Sequence, residues 1–272
     1  MGQALARILR SRGHPIRVFD LPQALASLGE ALAGEAAAGD VTSAFDVQRA
    51  LDGMQVVAHL AAMLPPLSER QPELASQVNV EGTRLLLEML PKGAPLLFAS
   101  SVATYGVPQE PVVTVAHPQH PLDVYAETKV AAESLVRASH RAWAILRLAP
   151  IAVPAVLDLP DPWPFTAQQS VEFIALQDAA TAIANAVENH PVSHRVFNIA
   201  GGKSWQMTGG IYSARMSSAF DLDPLWATFR ESPGWAGWYD TAESQAALAY
   251  QQTEFEAFMA DLHRLYQEAI RA

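Results

Sequence analysis

Pro95-Leu-Leu-Phe-Ala-Ser-Ser-Val-Ala-Thr-Tyr-Gly106, Asp123-Val-Tyr-Ala-Glu-Thr-Lys129 and Ala142-Trp-Ala-Ile-Leu-Arg-Leu148 follow one another in the chain, and their spacing decides the fold. Pro95 to Ala99 reads as a short apolar strand, Asp123 to Ser139 as a helix, and Ala142 to Leu148 as a second apolar strand. Two such strands joined through a long helix pair in parallel. The same alternation extends outward. Ala4 to Arg12 has helical spacing and is stopped by Gly13-His14-Pro15; Ile16 to Phe19 is a short strand ending at Asp20. Ala36 to Ala38 is a strand candidate, Val47 to Leu51 a short helix, Met54 to Leu60 a buried strand and Pro72 to Leu90 a long helix. Strands alternating with helices imply an α/β fold with a doubly wound, parallel, Rossmann-type sheet, whose ligand crevice lies at the carboxyl ends of the strands.

The texture changes at Pro150. Prolines 150, 154, 160, 162 and 164 preclude regular structure up to Phe165. Helical spacing returns from Gln177 to Asn189, a strand from Val196 to Ile199, and a closing helix from about Thr253 to Arg271. The expected division is a nucleotide-binding part over residues 1–149, rejoined by 171–200, and a smaller interleaved C-terminal lobe from 150–170 and 201–272 that takes the substrate.

Composition narrows the function classes. With 18 basic and 28 acidic residues the net charge is −10, which argues against nucleic-acid binding and against an anionic membrane surface. There are no cysteines, so disulfides, thiolate catalysis and cysteine-held metals are excluded. The eight histidines show no ligand-like spacing with carboxylates, so no metal is expected. No apolar run is long enough to cross a bilayer and the start is not a secretory signal, so the expected location is cytoplasmic.

Tyr125, Lys129 and Ser101 carry the chemistry. A phenol titrates near ~10 and is a poor base at neutral pH, but an ammonium one helical turn away favours the phenolate. A serine hydroxyl nearby can orient a substrate oxygen, so the three can move a proton while a cofactor moves a hydride. A Tyr-x-x-x-Lys spacing alone is a weak signal, since a surface pair on any helix gives the same pattern. Asp20 at a strand end can hold both hydroxyls of an adenosine ribose and would repel a 2′-phosphate, favouring NAD over NADP. Asp40 in Gly39-Asp40-Val41 can accept from an adenine amino group. The small residues of His59-Leu60-Ala61-Ala62 allow close approach of a cofactor. His59 itself reads as structural. Asn79 reads as a residue that bonds a neighbouring loop and steadies the site.

These pieces, in this order, resemble the extended short-chain dehydrogenase/reductase family, in its NAD-dependent epimerase/dehydratase group. The matched positions are Gly2, Asp20, Asp40-Val41, His59-Leu60-Ala61-Ala62, Asn79-Val-Glu-Gly-Thr83, Ser100-Ser101, Tyr105-Gly106, Tyr125-Ala-Glu-Thr-Lys129 and Arg147. Phe173 to Asp178 and Val196 to Gly202 look like the family's later elements. The resemblance implies Tyr125 as general base or acid, Lys129 lowering its pKa and holding the nicotinamide ribose, and Ser101 bonding the reacting oxygen. It implies a cofactor site of Gly2, Asp20, Asp40, Val41, Leu60, Ala61, Ala62, Tyr125 and Lys129 for NAD. The implied substrate is a small molecule, a sugar or nucleotide-sugar; the alternatives are a small carbonyl compound or a non-catalytic, cofactor-sensing member. A homodimer through Asp123–Ser139 and Pro72–Leu90 is the implied assembly.

The chain departs from the pattern twice. It begins at what looks like the third glycine of a Gly-x-x-Gly-x-x-Gly phosphate turn, without the preceding strand. Two half-sheets with unpaired edges are therefore expected, and weaker support for a pyrophosphate. The expectation is that Met1 is an internal methionine of a longer protein; a short chain that binds cofactor poorly is the alternative. After Leu148 the run Ala149-Pro-Ile-Ala-Val-Pro154 lacks an asparagine that many sugar-nucleotide members carry. Arg215 and Arg230 are the best candidates for a diphosphate, and the tryptophans read as core.

Overall fold

The structure is a computed structural model that describes residues 1–27, 36–189 and 193–271. The element order is α1 (Gly2–Ser11), β1 (Val18–Asp20), α2 (Pro22–Leu25), β2 (Ala36–Ala38), α3 (Ala44–Leu51), β3 (Val57–His59), α4 (Leu67–Arg70), α5 (Pro72–Ser76), a turn of π-helix (Gln77–Glu81), α6 (Gly82–Met89) and β4 (Leu96–Ser101). A 3₁₀ turn (Val102–Tyr105) and a loop lead to α7 (Val124–Ala138), β5 (Trp143–Leu148), β6 (Ile151–Ala152), β7 (Ser170–Glu172), β8 (Ile174–Ala175), α8 (Leu176–Glu188) and β9 (Arg195–Ile199). β10 (Gln206–Thr208), α9 (Gly209–Ala219), α10 (Ala242–Leu248) and α11 (Phe255–Ala269) complete the chain. The fold is α/β, as the alternating pattern implies. The small strands β7 and β10 and helices α9 and α10 were not legible in the sequence, being short and without clean periodicity.

Two compact units divide the residues. The first comprises 1–101, 123–147 and 180–197. Its main sheet runs β3-β4-β5-β9, and β1 pairs in parallel with β2 in a separate two-stranded sheet. Among the described residues the sheet of this unit is thus in two pieces, in line with the two half-sheets expected from the sequence. One expectation changes with it. Met54 to Leu60 reads as a strand buried on both sides, yet Val57 and Ala58 are only half-buried, because β3 is a sheet edge. β4 and β5 are buried along most of their length. Val47, Leu51, Leu86, Phe98, Val136 and Ile145 form the core, clamping α3, α6 and α7 onto β4 and β5. Such residues stabilise by roughly 1.5–3 kcal/mol each through burial.

The second unit comprises 102–122, 148–179 and 198–272. Its core is aromatic: Trp163, Phe165, Trp205, Tyr212, Phe255 and Phe258 are buried together, and Phe173 stacks on Tyr212 with ring centres 4.1 Å apart. The reading of the later tryptophans as core holds for Trp205, and Trp235 packs partly buried against the same core, whereas Trp226 is 84% exposed. Glu172 is fully buried; it accepts from the Gly202 amide (2.8 Å), the Gln206 amide group (3.0 Å) and the Tyr239 amide (2.9 Å), tying three segments to one carboxylate. Burial outweighs those donors and pushes its pKa up to about 7. Among the described residues no helix is long and apolar enough to cross a membrane.

Gly106 follows the 3₁₀ turn with φ +67°, and a Cβ there would overlap the His120 carbonyl oxygen. Both terms oppose a side chain, so Gly106→Ala is expected to destabilise the fold by ~2 kcal/mol or more in a denaturant titration.

Candidate active site

The site is built where β4 ends and α7 begins. Asp123 starts α7 because its carboxylate accepts from the Ala126 amide at 2.8 Å. On α7, Tyr125, Lys129 and Glu133 recur every four residues and so share one face. That face is tied to the end of β4 residue by residue. Ser101 hydrogen-bonds the Tyr125 phenol. The Lys129 Nζ donates to the Ala99 carbonyl at 2.8 Å. The Ser100 Oγ donates to Glu133 Oε1 at 2.6 Å. Arg147 on β5 grips the same carboxylate in a fork, Nε to Oε1 at 2.9 Å and Nη2 to Oε2 at 2.7 Å. Lys129, Glu133 and Arg147 are each at most 2% exposed.

A second network steadies the same turn from the β3 side. Asn79, in the π-helical turn, accepts from the Met63 amide at 2.7 Å and donates to the Met63 carbonyl at 3.1 Å, holding the loop that contains Leu60, Ala61 and Ala62. It also donates to Thr128 Oγ1 at 2.9 Å, which in turn donates to the Tyr125 carbonyl at 2.7 Å. The expected steadying role of Asn79 is therefore present, and a π turn is a common place for such an inward polar group. His59 is 3% exposed and shares a 3.0 Å hydrogen bond with Thr83. Burial, with the Lys129 charge beside it, lowers its pKa to about 3, so it stays neutral and structural.

The protonation state differs from the sequence expectation. Burial pushes the Tyr125 phenol up to about 12; the Ser101 hydrogen bond works against this and the Asp123 charge adds to it. Lys129 does not sit on the phenol oxygen: its Nζ is 5.8 Å from the Tyr125 ring centre and 4.9 Å from that of Phe98. The phenol's proton is held more tightly, not less, because desolvation dominates. Burial lowers Lys129 to about 8, with Glu133 pulling the other way.

The other sequence candidates also belong to the first unit. Gly2 is exposed at the start of α1, which has no side-chain cap. Asp20 is exposed at the end of β1; its Oδ1 accepts from the Leu21 amide at 2.8 Å. Asp40 uses Oδ1 within its own turn, for the Thr42 amide and hydroxyl at 2.8 Å each. Val41 packs against the core, and a Cβ on Gly82 would press on its side chain. In the second unit Arg215 is paired with Glu256, and Arg230 is exposed. Sequence reading named Ser100 only beside Ser101, without a role, and missed Glu133 and Glu69. Glu133 carried a usable signal, its place two turns after Tyr125 on the same face; Glu69 carried none.

Two stability effects follow. Arg147→Met leaves the buried Glu133 with only the part-exposed Arg137, at 3.4 Å, as its ion-pair partner and is expected to cost about 3–5 kcal/mol, while pairing it with Glu133→Leu restores most of the loss. Lys129 has its pKa lowered from 10.5 to about 8, so the folded state disfavours its charge. That penalty is complete below pH 8 and fades as pH rises toward 10.5. Lys129→Met is thus expected to raise stability at pH 7 by ~1–3 kcal/mol, with the gain shrinking over that window, as read by denaturant titrations across pH.

Comparison with known proteins identifies the family and the fold. The model of the NAD dependent epimerase/dehydratase family matches residues 1–154. The UDP-glucose 4-epimerase of Lactobacillus helveticus is 34% identical over 111 residues, 39% of this chain and 32% of the epimerase. The decarboxylating sterol-4-alpha-carboxylate 3-dehydrogenase of Bos taurus is 29% identical over 150 residues, 52% of this chain and 39% of the dehydrogenase. The chain thus spans about a third of the length of these curated relatives. Among solved structures, dTDP-glucose 4,6-dehydratase (DesIV) of Streptomyces venezuelae, with NAD bound, superposes with a TM-score of 0.81 at 19% identity over 98% of this chain and 94% of that one, a likeness of fold. With more than half its residues matched by the family model and its sheet and helices in the corresponding fold, the chain belongs to the NAD-dependent epimerase/dehydratase family.

Proposed function

We propose that the chain is an NAD-dependent oxidoreductase of the epimerase or dehydratase type, acting on a sugar or nucleotide-sugar through Ser101, Tyr125 and Lys129. The observation that carries this reading is the hydrogen bond between Ser101 and the Tyr125 phenol, with a buried ammonium one helical turn further along.

The residues present fit the cofactor. The exposed Asp20 carboxylate keeps Oδ2 without a partner among the described residues, suited to a ribose diol and hostile to a 2′-phosphate. The first amides of α1, beginning at Gly2, have no side-chain cap and suit a phosphate oxygen. Leu60, Ala61 and Ala62 are half-buried or exposed, and two are too small to obstruct an approaching ring. When bound, NAD supplies the acceptor for the hydride that leaves a carbinol carbon. Ser101 holds the substrate oxygen, and Tyr125 takes the hydroxyl proton on its phenol oxygen, which must first give up its own. Lys129, with a pKa of about 8 and its Nζ 5.8 Å from the Tyr125 ring centre, is the cationic group that favours the ionised phenol in this reading. Residues 1–149 and 171–200 serve as the nucleotide-binding part in this reading, and the remainder as the substrate part.

A second reading, a dehydrogenase of a small carbonyl compound or its alcohol, is favoured by two features. Arg215, a candidate for a diphosphate, is already paired with Glu256, and the Ala149-Pro150 run offers no asparagine there.

Tyr125→Phe is expected to lower turnover of UDP-glucose with NAD by ~10²–10⁴-fold while leaving NAD affinity near that of the parent. Equal turnover by the two proteins would rule out the phenol as the proton-transferring group and favour a non-catalytic member.

A further inference from the structure

Tyr125 occupies the second position of α7, in a helix's first turn, where the amides have no intrahelical acceptor and the backbone frays most readily. A side chain that must transfer a proton is poorly placed there unless something else holds the turn. Each of the first three amides of that turn has found a carboxylate. Ala126 donates to Asp123 Oδ1 at 2.8 Å, and Glu127 closes the helix on the Asp123 carbonyl at 3.0 Å. The other two go to a residue far away in the chain: Val124 donates to Glu69 Oε2 at 3.0 Å and Tyr125 to Glu69 Oε1 at 3.1 Å.

Glu69 is itself held. Ser68, fully buried, donates to Glu69 Oε1 at 2.9 Å. The short helix α4 that carries both is closed by amides of Leu67 and Ser68 on the Leu64 carbonyl and of Arg70 on the Pro66 carbonyl. A carboxylate spanning two adjacent amides at a helix start also neutralises the positive end of the helix dipole. Asp123 alone satisfies the third amide and cannot reach all three.

We infer that Glu69 is the positioning residue for Tyr125: it clamps the backbone of the first turn of α7 from a separate element and so fixes where the phenol stands relative to Ser101. This rests on the reading of Tyr125 as the proton-transferring group. Glu69 touches no reacting atom in this role and acts only through the turn. Because it is exposed, its removal should not unfold the protein.

The test compares Glu69→Ala and Glu69→Gln with the parent by amide hydrogen exchange and by turnover of UDP-glucose with NAD. In Glu69→Ala the amides of residues 124–126 are expected to exchange ~tenfold faster or more, with those of Leu96–Ala99 and Ala132–Val136 unchanged. The expected kcat falls ~10–100-fold while KM moves less than about threefold, since misplacement of a reacting group costs rate rather than binding. Glu69→Gln, which keeps one acceptor oxygen, should recover part of both. In a Tyr125→Phe background, Glu69→Ala should cost nothing further. Parent-like exchange at 124–126, or parent-like kcat in Glu69→Ala when Tyr125→Phe is inactive, would overturn the inference. So would uniform acceleration of exchange along all of α7, which marks a general prop. Full turnover by Tyr125→Phe is a separate failure, of the base reading itself, and the exchange rates would then report only whether the clamp exists.

Discussion

A carboxylate sealed inside the first unit determines where the reactive helix lies. Glu133 is 1% exposed, and an unpaired charge at such a depth would cost several kcal/mol. It is tolerated because Arg147 meets it with a two-pronged ion pair from β5 and Ser100 donates to it from β4. Those partners have fixed places on the sheet, so satisfying Glu133 also sets the register of α7 against β4. Lys129 and Tyr125, one and two turns earlier on the same face, are then delivered to Ala99 and Ser101. The ion pair is modest evidence for stability, since such a pair often does no more than break even against apolar side chains. Its visible consequence is geometric.

The same burial sets the proton inventory. Desolvation favours the neutral form of every group, which raises Tyr125, lowers Lys129 and lowers His59 far enough that it carries no charge at neutral pH. Tyr125 and Lys129 are thereby moved apart, to about 12 and about 8. A phenol in that state holds its own proton at neutral pH. Groups held at such a cost, in a network that places each one beside the next, are what an active site retains against stability.

The second unit follows a different logic. Its entry is rich in proline, and aromatic packing together with two buried carboxylates, Glu172 and Asp178, takes over the task of joining short segments. Its arginine nearest to a phosphate-binding role, Arg215, is spent on Glu256.

Local pattern in the sequence was enough for the α/β class, for α1, α7, α8, α11, β2, β5 and β9 within a residue or two, and for the trio Ser101, Tyr125 and Lys129 as candidates. These rest on periodicity, on caps such as Asp123, and on spacing along one helix face, all of which are properties of neighbouring residues. The chain's pattern also foretold a divided sheet. Only the tertiary structure showed that β3 is a half-exposed edge, that Lys129 rests on the Ala99 carbonyl instead of on the phenol, and that Tyr125 is driven toward its protonated form. It alone brought Asn79 to Met63 and Glu69 to the amide of Tyr125. The reason is physical: a hydrogen bond between residues distant in the chain, and the loss of water around a charge, depend on which surfaces the fold brings together, and no periodicity in one strand or helix records that.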